Sequence, residues 1–298
     1  CLRSATNLIE VVDALIEADP DAGTEVTWVD GSDDHPILRS TPLDLTDLLT
    51  ERLWQRRTVI ATSATLPDAL PHQLGAPDPD ILRVGSPFDY QNLGLLYCPT
   101  HLPEPRHPDY RPALHAELEA LVNAAGGRTL ALFTSYRAME EAAEYLAESV
   151  DLPLLVQGQA SRAILTSRFR DDPRTVLLAT QSFWQGIDLP GDTLTLVTID
   201  RIPFPRPDDP VLEAKRRLVG ANAFRMIDLP RAQILLAQAA GRLVRRADDH
   251  GVVAVLDTRL ATNRSYRWDL IGALPPFKRT RHQDEVLRFL QNLDAESQ

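Results

Sequence analysis

A run near the C-terminal end, Q-A-A-G-R-L-V-R at positions 238–245, combines an amide with two arginines. If the run is helical, Gln238, Arg242 and Arg245 stand at i, i+4 and i+7 and share one face. Guanidinium groups pair bidentately with phosphate oxygens and keep their charge, so this face could bind a polyphosphate. Gly241 is costly inside a helix and predicts a close approach by another backbone or by a ligand. The alternative is an ordinary amphipathic helix with a solvated polar face.

Three other segments place polar or aromatic side chains directly after predicted strands. They are T-S-A-T-L at 62–66, T-S-Y at 134–136 and S-F-W-Q-G-I-D at 182–188. In a parallel sheet such loops leave from one edge, where ligands bind. The alternatives are an ordinary Ser/Thr turn for the first segment and, for the last, a hydrophobic plug in which Phe183 and Trp184 are buried.

The periodicity of apolar residues predicts the elements that position these loops. Strands are predicted at 24–29, 58–61, 81–84, 94–98, 129–133, 154–157, 175–179, 194–199 and 252–256. Helices are predicted at 7–18, 42–56, 113–125, 137–149, 161–170, 209–219 and 230–246, with a loop at 31–36. Strands alternating with helices at these lengths predict an α/β fold, a mainly parallel sheet with helices on both faces.

Composition limits the class of protein. The chain of 298 residues is 44% hydrophobic, enough for a sizeable core in more than one domain. It contains no apolar run that could span a bilayer, and its two cysteines, Cys1 and Cys98, have no metal-ligand spacing. We therefore expect a cytoplasmic protein with no metal site in this chain. Because the first residue is Cys rather than Met, we also expect the chain to be a piece of a longer protein.

The net charge of −11 would normally disfavour a nucleic-acid partner. Its distribution weakens that argument, because residues 1–51 hold 12 acids and 2 arginines and so account for −10. The remainder is nearly neutral and can present local basic surface.

In this order and spacing, the sequence resembles the C-terminal part of a superfamily 2 DNA helicase of the DinG/XPD-like family. Segments 62–66, 133–136, 182–188 and 238–245 resemble helicase motifs III, IV, V and VI. Each motif is weak alone, but their order and spacing over about residues 40–275 are specific. The resemblance implies a RecA-like fold, with 86–298 as the second RecA-like domain and 1–85 as a remnant of the first domain and its inserted arch.

The resemblance also implies roles for individual residues. The catalytic set comprises Arg242 and Arg245, acting on the γ-phosphate of ATP, with Gln238 alongside. Nucleotide contacts fall to Gly186, Asp188 and Gly241, and single-stranded DNA contacts to Thr65, Ser135, Thr180, Phe183 and Trp184.

The sequence departs from the family pattern at three points. It contains neither G-x-x-x-x-G-K-[ST] nor an acidic D-E-x-H box, so we expect this chain alone to hydrolyse no ATP. Two cysteines cannot hold the family's four-cysteine iron-sulfur cluster, which would belong to an N-terminal part. Gln185 stands where the family usually has glutamate.

The resulting hypothesis is the C-terminal motor portion of an ATP-dependent helicase that moves 5′ to 3′ along DNA in repair or replication. ATP and Mg²⁺ would be its cofactors, and single-stranded or forked nucleic acid its partner; we expect a monomer that has no membrane partner. The alternative is a non-catalytic RecA-like module that binds DNA or protein. A nuclease domain upstream also stays open.

Overall fold

The structure is a computed structural model, and it describes residues 24–63, 70–180, 183 and 194–296, together with positions 6, 9, 12 and 13. The chain divides into two compact units. One contains the described residues up to Val84 and the segment Phe204–Arg231. The other contains Gly85–Pro203 and the described residues from Ala232 onward.

Nine strands and eleven α-helices are present in the described ranges. The strands are β1 (Glu25–Ser32), β2 (His35–Pro42), β3 (Gly94–Tyr97), β4 (Thr129–Phe133), β5 (Leu154–Val156), β6 (Val176–Thr180), β7 (Leu196–Ile199), β8 (Gly251–Val255) and β9 (Lys278–Thr280). The helices are α1 (Thr46–Leu49), α2 (Leu70–Gln73), α3 (Tyr90–Leu93), α4 (Tyr110–Ala124), α5 (Tyr136–Ser149), α6 (Arg162–Asp171), α7 (Pro210–Val219), α8 (Leu229–Ala240), α9 (Arg259–Thr262), α10 (Arg267–Ala273) and α11 (Gln283–Glu296). No helix in these ranges is both long and apolar enough to cross a membrane.

The first unit contains a two-stranded antiparallel hairpin. β1 pairs with β2 from Glu25↔Pro42 to Ser32↔His35, so only Asp33 and Asp34 form the turn. The loop predicted at 31–36 is therefore wrong, because cross-strand pairing extends regular structure through most of it. α1 continues into a wider π-type turn at Thr50–Trp54, in place of the longer helix predicted at 42–56.

Two strands predicted in this part of the chain are absent. Residues 58–61 and 81–84 form no strand, and Ile60 is 87% exposed. Both segments are apolar and β-branched, but no described segment pairs with them. A β-strand is stable only with a neighbour that satisfies its backbone donors and acceptors.

The second unit contains a seven-stranded sheet in the order β5-β6-β4-β7-β8-β3-β9. Every pairing in it is parallel. All residues of β3, β4, β6, β7 and β8 are buried, which means that both faces of the central strands are covered. The predicted parallel α/β sheet is therefore confirmed, and β9 is the one strand of it that the periodicity did not predict.

One face of the sheet packs on α4, α5 and α11. Leu114 and Leu121 of α4 join Leu290 of α11 against β3 and β8. Met139 and Leu146 of α5 pack against β4 and β6. This packing fixes the positions of the strand ends, and with them the positions of the residues that follow each strand.

The unit boundaries differ from the predicted domains at one segment. Residues 86–298 were predicted to form a single domain, with 1–85 as a separate remnant. The first boundary falls after Val84, but Phe204–Arg231, which includes α7, clusters with the N-terminal residues. We retain the two-domain assignment as a hypothesis, with this segment as the exception.

Candidate nucleotide and nucleic-acid site

Polar residues from several strands gather at the edge where the parallel strands end, which we call the carboxyl edge. Ser135 and Thr134 follow β4, Thr180 ends β6, and Asp200 follows β7. Asp257 comes two residues after β8. Because ligands of open α/β sheets bind at this edge, these residues define the candidate site.

Asp200 holds the loop after β4 in place. Its carboxylate is 2% exposed, and Oδ1 accepts the backbone N–H of Thr134 at 2.9 Å and of Arg201 at 2.8 Å. Oδ2 accepts the Thr134 hydroxyl at 3.0 Å. Asp200 was not among the predicted site residues; the only signal in the sequence is an acid directly after a buried strand.

Burial raises the pKa of Asp200 to about 7, because desolvation of the carboxylate outweighs the Arg201 charge and the donated hydrogen bonds. In the unfolded chain the pKa of an aspartate is about 3.9. The folded state therefore binds this proton more tightly than the unfolded state does. The stability due to its protonation is fully present below about pH 4 and is lost as the pH rises through about 7.

We expect Asp200→Asn to flatten the dependence of stability on pH between about pH 4 and about pH 7. The amide keeps an oxygen for the two N–H donors, while its NH₂ can donate to Thr134, so the loop contact survives. The measurement is the melting temperature across this range, with Asp284→Asn, at an exposed position of α11, as the control. An unchanged pH slope in Asp200→Asn would show that Asp200 does not titrate there.

Ser135 is exposed and caps helix α5. Its hydroxyl oxygen accepts the backbone N–H of Ala138 at 3.2 Å. The hydroxyl hydrogen is not used in this bond and can be donated to a phosphate oxygen. The placement is compatible with the predicted DNA contact, which stays a prediction.

Thr180 donates hydrogen bonds to a neighbouring side chain. It is 6% exposed, and both its N–H and its hydroxyl donate to Gln157 Oε1, at 2.7 and 3.0 Å. Its hydroxyl hydrogen is therefore already engaged. Gln157 Nε2 in turn donates to the hydroxyl of Tyr136 at 2.6 Å. Thr180 is thus linked to Tyr136 through Gln157, and its predicted contact with DNA stays a prediction.

Tyr136 is the residue that the sequence analysis missed in this region. Its side chain is 55% exposed at the start of α5, next to Ser135. The contact with Gln157 fixes its hydroxyl end and leaves ring surface open to solvent. The signal was its position directly after Thr134-Ser135 at the end of a buried strand.

Phe183 is buried, at 5% exposure, and the Arg162 guanidinium carbon lies 5.3 Å from its ring centroid. This favours the alternative in which the aromatic belongs to the core. The other residues predicted in segment 182–188, Trp184, Gly186 and Asp188, lie outside the described residues, and so do Gln185 and Thr65.

The segment that resembles motif VI is helical only in part, so the predicted helix at 230–246 is wrong at its C-terminal end. α8 ends at Ala240. Arg242 and Leu243 form i→i−3 bonds in place of the helical pattern, to Ala239 and Ala240. Arg242 and Arg245 therefore follow the helix and do not share one of its faces with Gln238.

Asp249 explains why the helix ends. Its buried carboxylate Oδ2 accepts the backbone N–H groups of Arg245 at 2.7 Å and of Arg246 at 2.8 Å. Those donors would otherwise bond to carbonyls of a continued helix, so a side-chain acceptor competes with helix formation. Asp249 thus fixes the backbone from which Arg245 projects.

Gln238 and Gly241 lie at the junction between α8 and this turn. Gln238 Oε1 is buried without a hydrogen-bond partner among the described residues, so it keeps its capacity to accept. The expected close approach of another backbone to Gly241 is not observed in the described chain. A Cβ there would lie 3.1 Å from Ala237 O, in its own preceding turn, and Gly241 is otherwise exposed.

Asp257 ties the ends of β7 and β8 together. It is fully buried and accepts the backbone N–H of Ile202 at 3.0 Å. Arg259 donates to both of its oxygens, at 2.9 and 2.6 Å. Asp257 therefore already has an arginine partner, Arg259.

Within the described ranges, no three His, Cys, Asp or Glu side chains cluster as metal ligands.

A family model described as the helicase C-terminal domain matches residues 118–277, more than half of the chain. The chain belongs to the helicase C-terminal domain family. The matched range extends from α4 nearly to β9 and contains the segments that resemble motifs IV, V and VI. Asp200, Asp249 and Asp257 lie in the same range.

Two curated relatives support this assignment. The chain is 43% identical over 293 residues to the ATP-dependent helicase DinG of Mycobacterium tuberculosis, across 92% of this chain and 44% of the relative. It is 40% identical over 272 residues to the ATP-dependent DNA helicase YoaA of Escherichia coli, across 88% of this chain and 43% of the relative. The chain thus spans less than half the length of these relatives.

A solved structure of an XPD helicase superposes with a TM-score of 0.60 at 18% identity, over 87% of this chain and 49% of that chain. At this identity the similarity establishes the fold. The predicted RecA-like fold and the resemblance to the C-terminal part of DinG/XPD-like superfamily 2 helicases are both confirmed.

Proposed function

We propose that this chain is the C-terminal motor portion of an ATP-dependent DNA helicase that translocates on single-stranded DNA. The 5′ to 3′ direction and a role in repair or replication are part of the proposal. The observation that carries it is the turn at 241–246, in which Asp249 holds the backbone that bears Arg242 and Arg245 directly after Gln238.

The residues of this turn fit a nucleotide polyphosphate. Arg242 and Arg245 are partly exposed, so their guanidinium groups can reach an anion. Gln238 Oε1 is buried and free of a hydrogen-bond donor among the described residues, so it can accept a hydrogen bond from a water molecule beside that anion. ATP hydrolysis, when nucleotide and Mg²⁺ are bound, supplies the free energy for movement.

In this proposal the chain's own groups perform three tasks. Arg242 and Arg245 stabilise negative charge on the transferring phosphoryl group, a contribution typically worth about 10³ to 10⁵ in rate. Gln238 orients the attacking water. Asp249 keeps the turn rigid, so the arginines need little reorganisation. The phosphate loop must come from outside these 298 residues, because the sequence contains no such motif.

The single-stranded DNA would contact the carboxyl edge of the sheet through Ser135 and Tyr136. The Ser135 hydroxyl donates to a phosphate oxygen, while the exposed ring of Tyr136 offers a surface on which a base can stack. Asp200 and Gln157 fix the loop and the ring from beneath, through Thr134 and the Tyr136 hydroxyl.

We expect Tyr136→Ala to raise the dissociation constant for single-stranded DNA about 5- to 150-fold, as for loss of one stacked base. Tyr136→Phe keeps the ring and loses only the hydroxyl contact, so it should bind within about threefold of the wild type. Fluorescence anisotropy with a labelled oligothymidylate measures both. Equal loss in the two variants would assign the effect to the hydroxyl network, and no loss in Tyr136→Ala would exclude the stacking contact.

The function as a whole is tested in a longer chain that supplies a phosphate loop N-terminal to this sequence. We expect ATP hydrolysis that rises when single-stranded DNA is added, and separation of a forked duplex. DNA binding without DNA-stimulated hydrolysis would favour the alternative, a non-catalytic RecA-like module. Degradation of the DNA would point to an accompanying nuclease.

A further inference from the structure

A cavity of about 410 Å³ lies at the carboxyl edge, where β3 and β9 end. Cys98, which follows β3, and Arg281, which follows β9, contribute to its wall, as do Arg267 and Trp268 of α10 and Arg279 of β9. We call it the arginine pocket. Its volume lies within the range of about 300 to 1,000 Å³ that is common for small-molecule sites.

The arginine pocket carries an excess of positive charge that the protein does not neutralise. Arg267, Arg279 and Arg281 form no ion pair with a carboxylate among the described residues. The acid in the lining, Glu285, already binds Lys278 Nζ at 3.1 Å. With His282 neutral, the described lining has a formal charge of +2.

The whole chain, by contrast, has a net charge of −11. Some of its arginines pair with carboxylates, as in Arg206–Asp208, Arg216–Asp228 and Arg288–Asp284, and others, such as Arg106 and Arg264, form no such pair among the described residues. The arginine pocket differs because three guanidinium groups without such a pair line one cavity. This local excess of positive charge favours an anionic ligand.

Trp268 keeps two of these charges close together. Its ring is 57% exposed, and the guanidinium carbons of Arg267 and Arg279 lie 4.8 and 5.3 Å from its centroid. Stacking on an aromatic ring restricts each guanidinium to one plane and so orients its N–H fork. Arg267 Nη1 is also held by Ala261 O at 2.8 Å, while its buried Nε has no partner among the described residues.

The thiol in the wall does not supply the missing negative charge. Burial raises the pKa of the Cys98 thiol to about 12, even though Arg279 and Arg281 lower it. Cys98 is thus neutral at physiological pH, and the pocket keeps its positive charge.

We propose that the arginine pocket binds backbone phosphates of the same single-stranded DNA that contacts Ser135 and Tyr136. The inference rests on the proposed function, since it assigns a second contact to that strand. β9 is four positions from β4 in the sheet, and adjacent strands lie about 4.8 Å apart, so the two contacts are separated by about 19 Å along one edge. Several nucleotides cover this distance, and single-strand sites of about 4 to 16 nucleotides are common.

The test uses the 298-residue chain and a labelled oligothymidylate of about 20 nucleotides. We expect Arg279→Gln and Arg281→Gln each to raise the dissociation constant about tenfold, the loss of one charged hydrogen-bonded contact. Each should also reduce the slope of log K against log salt by about 0.7, because one fewer phosphate is neutralised. Arg288→Gln, an exposed arginine on α11, is the matched charge control and should change binding less than twofold.

Trp268 provides a second readout. Binding of DNA should change the fluorescence that comes from Trp268, which is the part of the tryptophan emission that the Trp268→Phe variant lacks. Inorganic pyrophosphate at the same phosphate concentration should leave this fluorescence unchanged. Melting temperatures equal to that of the wild type would confirm that the exposed substitutions leave the fold intact.

Wild-type affinity in both arginine variants, or failure of the unaltered chain to bind the oligonucleotide, would overturn the inference. A Trp268 response to pyrophosphate together with unchanged DNA affinity in the variants would also overturn it and would identify a site for free phosphate. Wild-type affinity in both arginine variants would remove only this second contact and leave the proposed function intact, whereas failure of the unaltered chain to bind DNA would also count against the DNA contact of the proposed function. ATP hydrolysis is judged separately, by the rates of the Arg242 and Arg245 variants.

Discussion

Replacement of Arg242 or Arg245 by lysine should lower the DNA-stimulated kcat for ATP hydrolysis at least about 100-fold, with little change in ATP affinity. Negative charge on the transferring phosphoryl group develops chiefly in the transition state, so groups that stabilise it affect turnover more than ground-state binding. Lysine keeps the charge but lacks the planar fork. The measurement is steady-state ATP hydrolysis by a longer protein that supplies the phosphate loop, together with nucleotide titration.

Arg246→Lys is the matched control. Arg246 lies in the same turn, and its backbone N–H also donates to Asp249, but its side chain is exposed. We expect near-normal rates for this variant. If Arg242→Lys and Arg245→Lys lose stability yet hydrolyse ATP at normal rates, both arginines are structural anchors and the catalytic assignment is wrong.

Asp257→Ala should reduce the free energy of unfolding by about 3 to 5 kcal/mol. Asp257 is fully buried and is the acceptor for both the Arg259 guanidinium and the Ile202 N–H. Without it, a largely buried guanidinium and a buried backbone donor lose their partner. Denaturation by urea measures the loss.

Two further variants separate this mechanism from a general effect of removing charge. Asp284→Ala breaks an ion pair with Arg288 in which both side chains are more than two-thirds exposed, so it should cost at most about 0.5 kcal/mol. Asp257→Ala combined with Arg259→Ala should recover part of the loss, because the uncompensated guanidinium is gone. A similar loss for Asp257→Ala and Asp284→Ala would contradict the buried-pair argument.

The sequence predicted the elements of the seven-stranded sheet well because these strands are continuous apolar runs separated by amphipathic helices. β4 and α5 lie within a residue of their predicted bounds. The same reasoning failed at 58–61 and 81–84, where local composition favours a strand but no described partner pairs with it. Whether a segment has a partner strand depends on the whole fold, and the periodicity of that segment alone does not show it.

The candidate site was predicted less completely than the sheet. The end of α8 depends on Asp249, nine residues beyond Ala240, which accepts two N–H groups that a continued helix would use. The role of Asp200 depends on the register between β4 and β7, which pairs Leu132 with Ile199. The link between Tyr136 and Thr180 likewise depends on Gln157, which contacts both of them and lies after a different strand.

The position of β3 in the sheet has a consequence for biosynthesis. Within the described chain, β3 pairs only with β8 and β9. Gly94 therefore cannot pair until Gly251, 157 residues later, has been synthesised. At about 5 to 20 residues per second, the apolar run from Gly94 to Tyr97 spends roughly 8 to 30 seconds on the ribosome without its neighbours. The half-sheet of β4, β5, β6 and β7 can pair during that interval. A nascent chain that stops before residue 251 therefore carries a strand able to associate with other nascent chains, which makes β3 the expected contact site for a ribosome-associated chaperone.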